Sequence, residues 1–282
     1  MRTAHPRVVL GLHRSRHERS LLTKAADLGI TAIDTSANYL GFQSHKVLAE
    51  VAGDLLPNFS VSTKIGYFSA DGTSVHSLDP DRLRTALEGA VRDLGREPDL
   101  VFLHNPEHSL AEVSERSAPK LLGNACSVLV DATARGLCVA WGISSWDPRP
   151  LIELGNRQFP RPDFLMLRAG LLVGAEVLHA GEKLAQRFDP SAVWGMSPFA
   201  GNTADPVWAR FDPRVFLRAP ERVNRAQAAF RVAFHLPEAA KVAVSSNSAE
   251  HLSELVGSLA HEVDSAAVAE YRCLLMRGRQ ED

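Results

Sequence analysis

The chain has 282 residues, 45% of them hydrophobic and 23% charged, with a formal net charge of -2 at pH 7. This composition excludes a disordered chain, and the near-zero charge excludes a strong drive towards nucleic acid or an anionic membrane. Cys126, Cys138 and Cys273 are odd in number and far apart, so no disulfide frame is expected and a reducing compartment fits. There is no CxxC pair for structural zinc. Met1 to Leu10 is too short and too poor in apolar residues for a signal peptide. No apolar run approaches the ~18 residues of a membrane span, so a cytoplasmic protein is expected.

Val8–Leu12 reads as the first strand. Glu18–Leu28 follows as a helix, with Leu21, Leu22, Ala25 and Leu28 at helical spacing and Gly29 as its stop. Ile30–Asp34 is the second strand, Ser44–Val51 a helix and Phe59–Thr63 the third strand. Asp79 and Pro80 open the next helix as N-cap and first helical residue. Its expected apolar face is Leu83, Leu87, Val91 and Leu94, and Gly95 ends it. Leu100–Leu103 is the fourth strand, followed by a helix from Ala118 to Ala134 that Gly136 stops. Leu137–Ile143, Phe164–Leu167 and Ala192–Met196 read as strands five to seven, with helices at Pro150–Leu154 and Ala175–Arg187. Ser197–Pro220, rich in Gly, Pro and Asp, reads as a functional loop. Glu221–Phe234 is helical, Val242–Val244 is the eighth strand and Ala249–Leu259 its helix. Ser265–Met276 is an extra helix capped by Asp264.

Eight β/α units in regular alternation predict an α/β fold, a closed (β/α)8 TIM barrel in one domain over residues 1–282 with a C-terminal extra helix. An open doubly wound sheet is the rival, but Gly11-Leu12-His13-Arg14-Ser15 is no GxGxxG fingerprint. In such barrels function gathers at the C-terminal strand ends, and neighbouring strands lie about 4.8 Å apart. Asp34, Lys64 and His104 close the second, third and fourth strands, and Tyr39 follows just after Asp34. A lysine ammonium beside a tyrosine favours the phenolate and is expected to lower its pKa. A carboxylate holds the lysine charged, and a histidine orients a bound carbonyl oxygen or shares its proton. Together they form a general-acid group in which Tyr39 donates to an oxygen that becomes negative. Two histidine pairs at i, i+4 spacing, His13/His17 and His104/His108, invite a metal reading. The first strand end lacks the HxH pair that metal-dependent barrel hydrolases use, so no metal is expected. His13 and Arg14 are expected to face substrate, with Trp146, Arg168 and Trp208 as further pocket candidates.

The stretch Gly29-Ile30-Thr31-Ala32-Ile33-Asp34-Thr35-Ser36-Ala37-Asn38-Tyr39 resembles the aldo-keto reductase family. So, in order, do Ser62-Thr63-Lys64-Ile65-Gly66, Leu94-Gly95-Arg96 through Leu103-His104, Gly142-Ile143-Ser144-Ser145-Trp146 and Ser197-Pro198-Phe199-Ala200-Gly201. The resemblance implies reduction of an aldehyde or ketone by NADPH, with NADH possible, or the reverse oxidation. The partner is a small carbonyl or alcohol, not nucleic acid or membrane. By the same resemblance Asp34, Tyr39, Lys64 and His104 are the catalytic residues. Ser144 and Ser145 contact the nicotinamide carboxamide. Ser197, Phe199 and Gly201 line the pyrophosphate, and Ser245, Ser246, Asn247, His251 and Glu254 surround the adenosine half. The start of the last barrel helix adds backbone N–H groups suited to a phosphate.

The chain departs from the family pattern at the cofactor. Met166 stands where the family often has glutamine, and Met196 where it often stacks an aromatic ring. Ser145 replaces asparagine, Ser245 and Ser246 replace basic residues, His251 replaces arginine and Leu255 an asparagine. These departures keep an alternative in view: an enzyme of this type without net hydride transfer, using the same Tyr/Lys/His group for enolisation, elimination or cyclisation. A third reading is a nucleotide-binding regulator without activity, against which the intact tetrad argues.

Overall fold

The computed structural model describes residues 7–154 and 159–278; Met1–Pro6, covered by the signal-peptide reading above, lie outside the described residues. The strands are β1 (Val8–Gly11), β2 (Ala32–Asp34), β3 (Ser60–Ile65), β4 (Tyr67–Ala70), β5 (Thr73–His76), β6 (Leu100–His104), β7 (Ala140–Ser145), β8 (Phe164–Arg168), β9 (Ala192–Met196) and β10 (Lys241–Val244). Eight of them are parallel and close a barrel in the order β1-β2-β3-β6-β7-β8-β9-β10, with β10 returning to β1. β4 and β5 form a separate antiparallel hairpin. The helices are α1 (Arg19–Asp27), α2 (Ser44–Ala52), α3 (Pro80–Leu94), α4 (Glu107–Leu110), α5 (Ala118–Ala134), α6 (Arg149–Glu153), α7 (Ala175–Phe188), α8 (Val207–Arg210), α9 (Arg225–Val232), α10 (Ala249–Gly257) and α11 (Ser265–Gly278). The (β/α)8 barrel expected from the alternation is therefore the fold.

The barrel strands are apolar runs buried on both faces, as parallel strands under helices must be. Val9, Ala32, Leu100, Phe102, Met166, Trp194 and Ala243 pack into one cluster contributed by six strands. A second cluster joins β6, β7 and β8 to α3, α5 and α7. A third joins β1, β2 and β10 to α1, α2 and α10. Asp79 caps α3 by accepting from the backbone N–H of Asp81 and Arg82. The buried face of α3 is Leu83, Leu87, Ala90 and Leu94; Val91, expected there, is half-buried beside it. Asp264 caps α11 through the N–H of Ala266 and Ala267. Tyr271 of that helix donates to Leu171 O at 2.6 Å, which ties α11 to the loop after β8.

Several boundaries differ from the sequence expectation: β2 starts at Ala32 rather than Ile30, and β3 runs Ser60–Ile65, so Lys64 lies one residue inside the strand rather than just past its end. The fifth barrel strand starts at Ala140 rather than Leu137, because Leu137 N–H closes α5 by donating to Ala132 O. The helix expected from Glu221 starts at Arg225, where Asn224 and Gln227 form a reciprocal capping box. The Ser197–Pro220 loop carries α8 and a short 3-10 turn, Pro213–Phe216, that pack with α9 and α11. Cys273 is exposed, whereas Cys126 and Cys138 are buried.

Candidate active site

The strand register brings the four expected residues to one end of the barrel. Asp34, the last residue of β2, stands opposite Gly11 of β1 and Ser62 of β3. Lys64 lies two residues beyond Ser62, so the period of two puts both on the same strand face. His104 ends β6 opposite Ser144 of β7. Tyr39 opens a 3-10 turn after β2, followed by left-handed backbone at Leu40, Gly41 and Phe42. Left-handed backbone at non-glycine residues costs free energy, and here it wraps the chain sharply around Tyr39.

Lys64 is 2% exposed, so its ammonium must be satisfied within the protein. Its three N–H donors go to Asp34 Oδ2, to Thr35 O at 3.0 Å and to Tyr39 OH at 3.4 Å. The other carboxylate oxygen of Asp34 accepts from Ser62 Oγ at 2.8 Å. Burial alone pulls Lys64 down. The charges of Asp34 and Tyr39 and their hydrogen bonds outweigh it, and the net shift is upward, so Lys64 stays cationic. Tyr39 departs from expectation. Burial pushes its phenol above the ordinary tyrosine value, and Lys64 opposes that rise without reversing it. The phenol is thus protonated at neutral pH and can act as an acid.

His104 is held neutral. Burial, then the positive charge of Lys64 and the neighbouring histidines, keep it well below the usual histidine value. Its Nδ1 lies 3.2 Å from Ser36 Oγ. Its ring meets the edge of Tyr67 at 4.8 Å between centroids. The hairpin carrying Tyr67 is fastened over β6 by His76, whose Nε2 donates to His104 O at 2.7 Å and whose Nδ1 meets Ser109 Oγ at 2.7 Å. Gly66, between β3 and the hairpin, has φ +138, and a Cβ there would lie 3.1 Å from both His104 O and His76 Nε2.

These residues open into a cleft of about 640 Å³, a size typical of cofactor and substrate sites. Asp34, Tyr39, Lys64 and His104 line it, as do Met166, Met196, Ser197, Phe199, Gly201, Ser245, Ser246 and Asn247. Four of the expected cofactor residues, Ser144, Ser145, His251 and Glu254, are not on the cleft wall. Ser144 is fully buried with its hydroxyl 3.8 Å from Met196 Sδ. Ser145 is fully buried and donates to Glu107 Oε2 at 3.1 Å, turned away from the cleft. His251 is exposed on α10, and Glu254 is held by Asn224 Nδ2 at 3.0 Å. His13 and Arg14 line the cleft, His13 with its ring 5.1 Å from that of Tyr39. His17 is fully buried and bonded to Ser44 Oγ at 2.6 Å. Trp146 lines the cleft under Arg168, whose guanidinium sits 4.8 Å over the indole. Trp208 is a packing group whose indole N–H donates to Asn202 O.

Several cleft residues were not anticipated: Asn38, Tyr67 and Asn105, with Ser36 and Glu107 behind them. Asn105 Oδ1 is buried without a hydrogen-bond partner among the described residues. The hairpin did carry a signal. Asp71-Gly72, both at positive φ, sit between Phe68 and Val75 as a two-residue hairpin turn. Glu107 carried none, since a carboxylate in a four-residue helix looks like any surface acid.

The Aldo/keto reductase family model matches residues 14–172, more than half of the chain. The chain therefore belongs to the aldo/keto reductase family, and its class is that of an oxidoreductase. Among solved structures it is similar to an aldo-keto reductase from Bacillus halodurans in its holo form, with 16% identity, 95% of this chain and 91% of that one covered, and a TM-score of 0.74. It is similar to an aldo-keto reductase from Klebsiella pneumoniae in complex with NADPH, at 17% identity, 96% and 91% coverage and a TM-score of 0.70. A Bombyx mori aldo-keto reductase in complex with NADP gives 18% identity, 95% and 89% coverage and a TM-score of 0.64. Comparison with curated proteins gives no match.

Proposed function

We propose that this protein interconverts a small-molecule carbonyl and its alcohol with a nicotinamide dinucleotide, Tyr39 acting as the general acid. The observation that carries this reading is the Asp34–Lys64–Tyr39 chain, a buried charged lysine 3.4 Å from a protonated phenol that opens on a cleft. When bound, the nicotinamide supplies or takes the hydride. Tyr39 gives its proton to the oxygen as negative charge develops there, and Lys64 stabilises the phenolate left behind. Asp34 keeps Lys64 charged and aimed, and His104 bounds the oxygen pocket.

The cleft fits a dinucleotide in its donor set. Beyond the tetrad it runs over Met166 and Met196 to Ser197–Gly201 and then to Ser245, Ser246 and Asn247. Hydroxyl and amide groups at that far end suit a pyrophosphate and nucleoside. NADPH is bound in the Klebsiella pneumoniae structure and NADP in the Bombyx mori one. Arg14 and Lys64 are the lysine or arginine residues on the cleft wall, so NAD is also compatible. The test is titration with NADPH and NADH, read by tryptophan quenching and by melting temperature. Binding of either is expected, and no response to both overturns the reading.

A second reading is favoured by one observation. Met166 and Met196 form the floor where amide and aromatic groups would hold a nicotinamide, and Ser145 is committed to Glu107. On that reading the same Tyr39–Lys64–His104 group performs enolisation, elimination or cyclisation. Turnover without added or co-purified nicotinamide, abolished by Tyr39→Phe, distinguishes it.

A further inference from the structure

Arg168, the last residue of β8, stands opposite Met196 of β9. It lies two residues beyond Met166, so the period of two puts both on the same strand face. Met166 and Met196 line the cleft, which places Arg168 one layer higher, at the barrel mouth. Its guanidinium stacks 4.8 Å over the indole of Trp146, an exposed residue of the cleft wall. Arg168 is half-buried, yet its N–H donors have no hydrogen bond or ion pair among the described residues. Burial pulls its pKa below the ordinary arginine value, and the charge of Asp147 opposes that only in part. Asp147 is not free to pair with it, because Arg149 takes both its oxygens, through Nε at 2.9 Å and Nη2 at 2.7 Å. Glu107, beside the same turn, is occupied by the Trp146 and Asp147 N–H groups and the Ser145 hydroxyl. Stacking uses the flat face of a guanidinium and leaves its in-plane donors open, and the fork of those donors matches a carboxylate. The cleft wall supplies no competing anion. Its one carboxylate among the described residues, Asp34, is bonded to Lys64 and Ser62. Arg14 also lines the cleft but is exposed, so water satisfies it.

We propose that Arg168, held flat on Trp146, binds a carboxylate of the ligand, so that the carbonyl compounds this protein takes are oxo acids. The barrel order sets their shape. β2, which leads into Tyr39, and β8, which ends on Arg168, stand on opposite sides of the closed sheet. A ligand with its carbonyl at Tyr39 and its carboxylate at Arg168 crosses the mouth between them, so several carbons separate its two groups. The selectivity in turnover rests on the function proposed above; the carboxylate site at Trp146 does not.

The binding test is NMR of the full-length protein labelled with ¹⁵N-tryptophan, with and without NADPH, the Trp146 indole signal being assigned by its loss in Trp146→Phe. Glutarate, an unreactive dicarboxylate, is expected to shift that signal, and its dimethyl ester is not. Arg168→Gln is expected to lose the shift. Arg168→Lys, a cation without the fork, should keep a weakened response and guards against one variant failing to fold. A Trp146 signal that glutarate leaves unmoved, or moves equally in Arg168→Gln, overturns the proposal. A signal that inorganic pyrophosphate moves and glutarate does not also overturns it, and gives Arg168 to the cofactor instead. Steady-state rates complete the test. Wild type is expected to prefer 5-oxopentanoate over its methyl ester in kcat/KM by roughly 10–100-fold, about the size of a charged hydrogen bond, and Arg168→Gln to erase that preference. Glyoxylate, whose two groups are adjacent, should show no such preference over its own methyl ester. Equal rates for 5-oxopentanoate and its ester in wild type overturn the selectivity, and a preference confined to glyoxylate overturns the spacing. A protein that reduces none of these compounds and binds no nicotinamide defeats the proposed function while leaving the binding result to stand on its own.

Discussion

Lys64 illustrates how far one buried charge shapes this site. Its ammonium has no water to fall back on, so Asp34, Thr35 O and Tyr39 together replace its hydration. Removing Asp34, the charged partner, leaves the buried ammonium without its counter-charge, whereas the Tyr39 hydroxyl is the most distant of the three partners. Asp34→Ala is therefore expected to lower unfolding stability by about 3–5 kcal/mol in a denaturant titration, and to cost activity as well. Tyr39→Phe removes only the hydroxyl. It should retain the melting temperature but lose roughly 10²–10⁴ in kcat, the usual range for a general acid. Because burial raises the Tyr39 phenol, carbonyl reduction is expected to hold its rate through neutral pH. Its alkaline limb should lie above the ordinary tyrosine value of ~10, while alcohol oxidation should rise with pH. Two further histidines report on stability. His45 donates to or accepts from Thr63 Oγ1, and burial holds its pKa at about 4; burial also lowers His17. Both groups are shifted below an unfolded histidine, so the unfolded chain binds more protons in acid. Stability should be complete above pH ~6.5 and fall as pH drops towards 4, by about 3 kcal/mol for His45 alone.

Two small elements brace the site from outside the barrel sheet. The β4–β5 hairpin lays Tyr67 against His104 and is fastened by His76. Glu107, at the start of α4, accepts from Trp146 N–H at 2.6 Å, Asp147 N–H at 3.0 Å and Ser145 Oγ at 3.1 Å. That carboxylate shapes the turn after β7 and sets Trp146 at the cleft mouth. Burial raises the Glu107 carboxyl while these donors hold it down. Glu107→Ala would leave the buried Ser145 hydroxyl and two part-buried backbone donors without their partner and is expected to cost about 1–3 kcal/mol. Glu107→Gln keeps an acceptor and should recover most of the loss; equal loss in both variants would contradict this account of the turn. The hairpin was legible in principle from Asp71-Gly72, but the strand–helix rhythm drew attention past it. The Ser145 position shows the opposite problem. Its place in the strand order was readable from the sequence, but the direction of its hydroxyl was not, because Glu107 lies far away in the chain and comes near it only in the folded barrel.

At the scale of the whole molecule, the barrel was readable because eight apolar runs alternate with segments of helical spacing. The convergence of Asp34, Lys64 and His104 followed from that order, since a closed parallel barrel leaves adjacent strand ends nowhere else to go. The cofactor half was less readable. It depends on loop conformation at Ser197–Gly201, where Ser197, Ala200 and Gly201 take positive φ, and no periodicity reports such backbone. If a dinucleotide occupies this cleft, it stabilises the folded state by mass action, by about 2.7 kcal/mol at one hundred times its Kd. A rise in melting temperature with cofactor concentration should follow. The most direct test of the central claim is isotope transfer. The protein would be given NADPH or NADH deuterated at the nicotinamide C4 and a panel of carbonyl compounds, and the alcohols analysed by mass spectrometry. The account predicts one deuterium in the product with wild type and its near-complete loss with Tyr39→Phe. Alcohol without deuterium from both nicotinamide faces, or undiminished transfer by Tyr39→Phe, would contradict it.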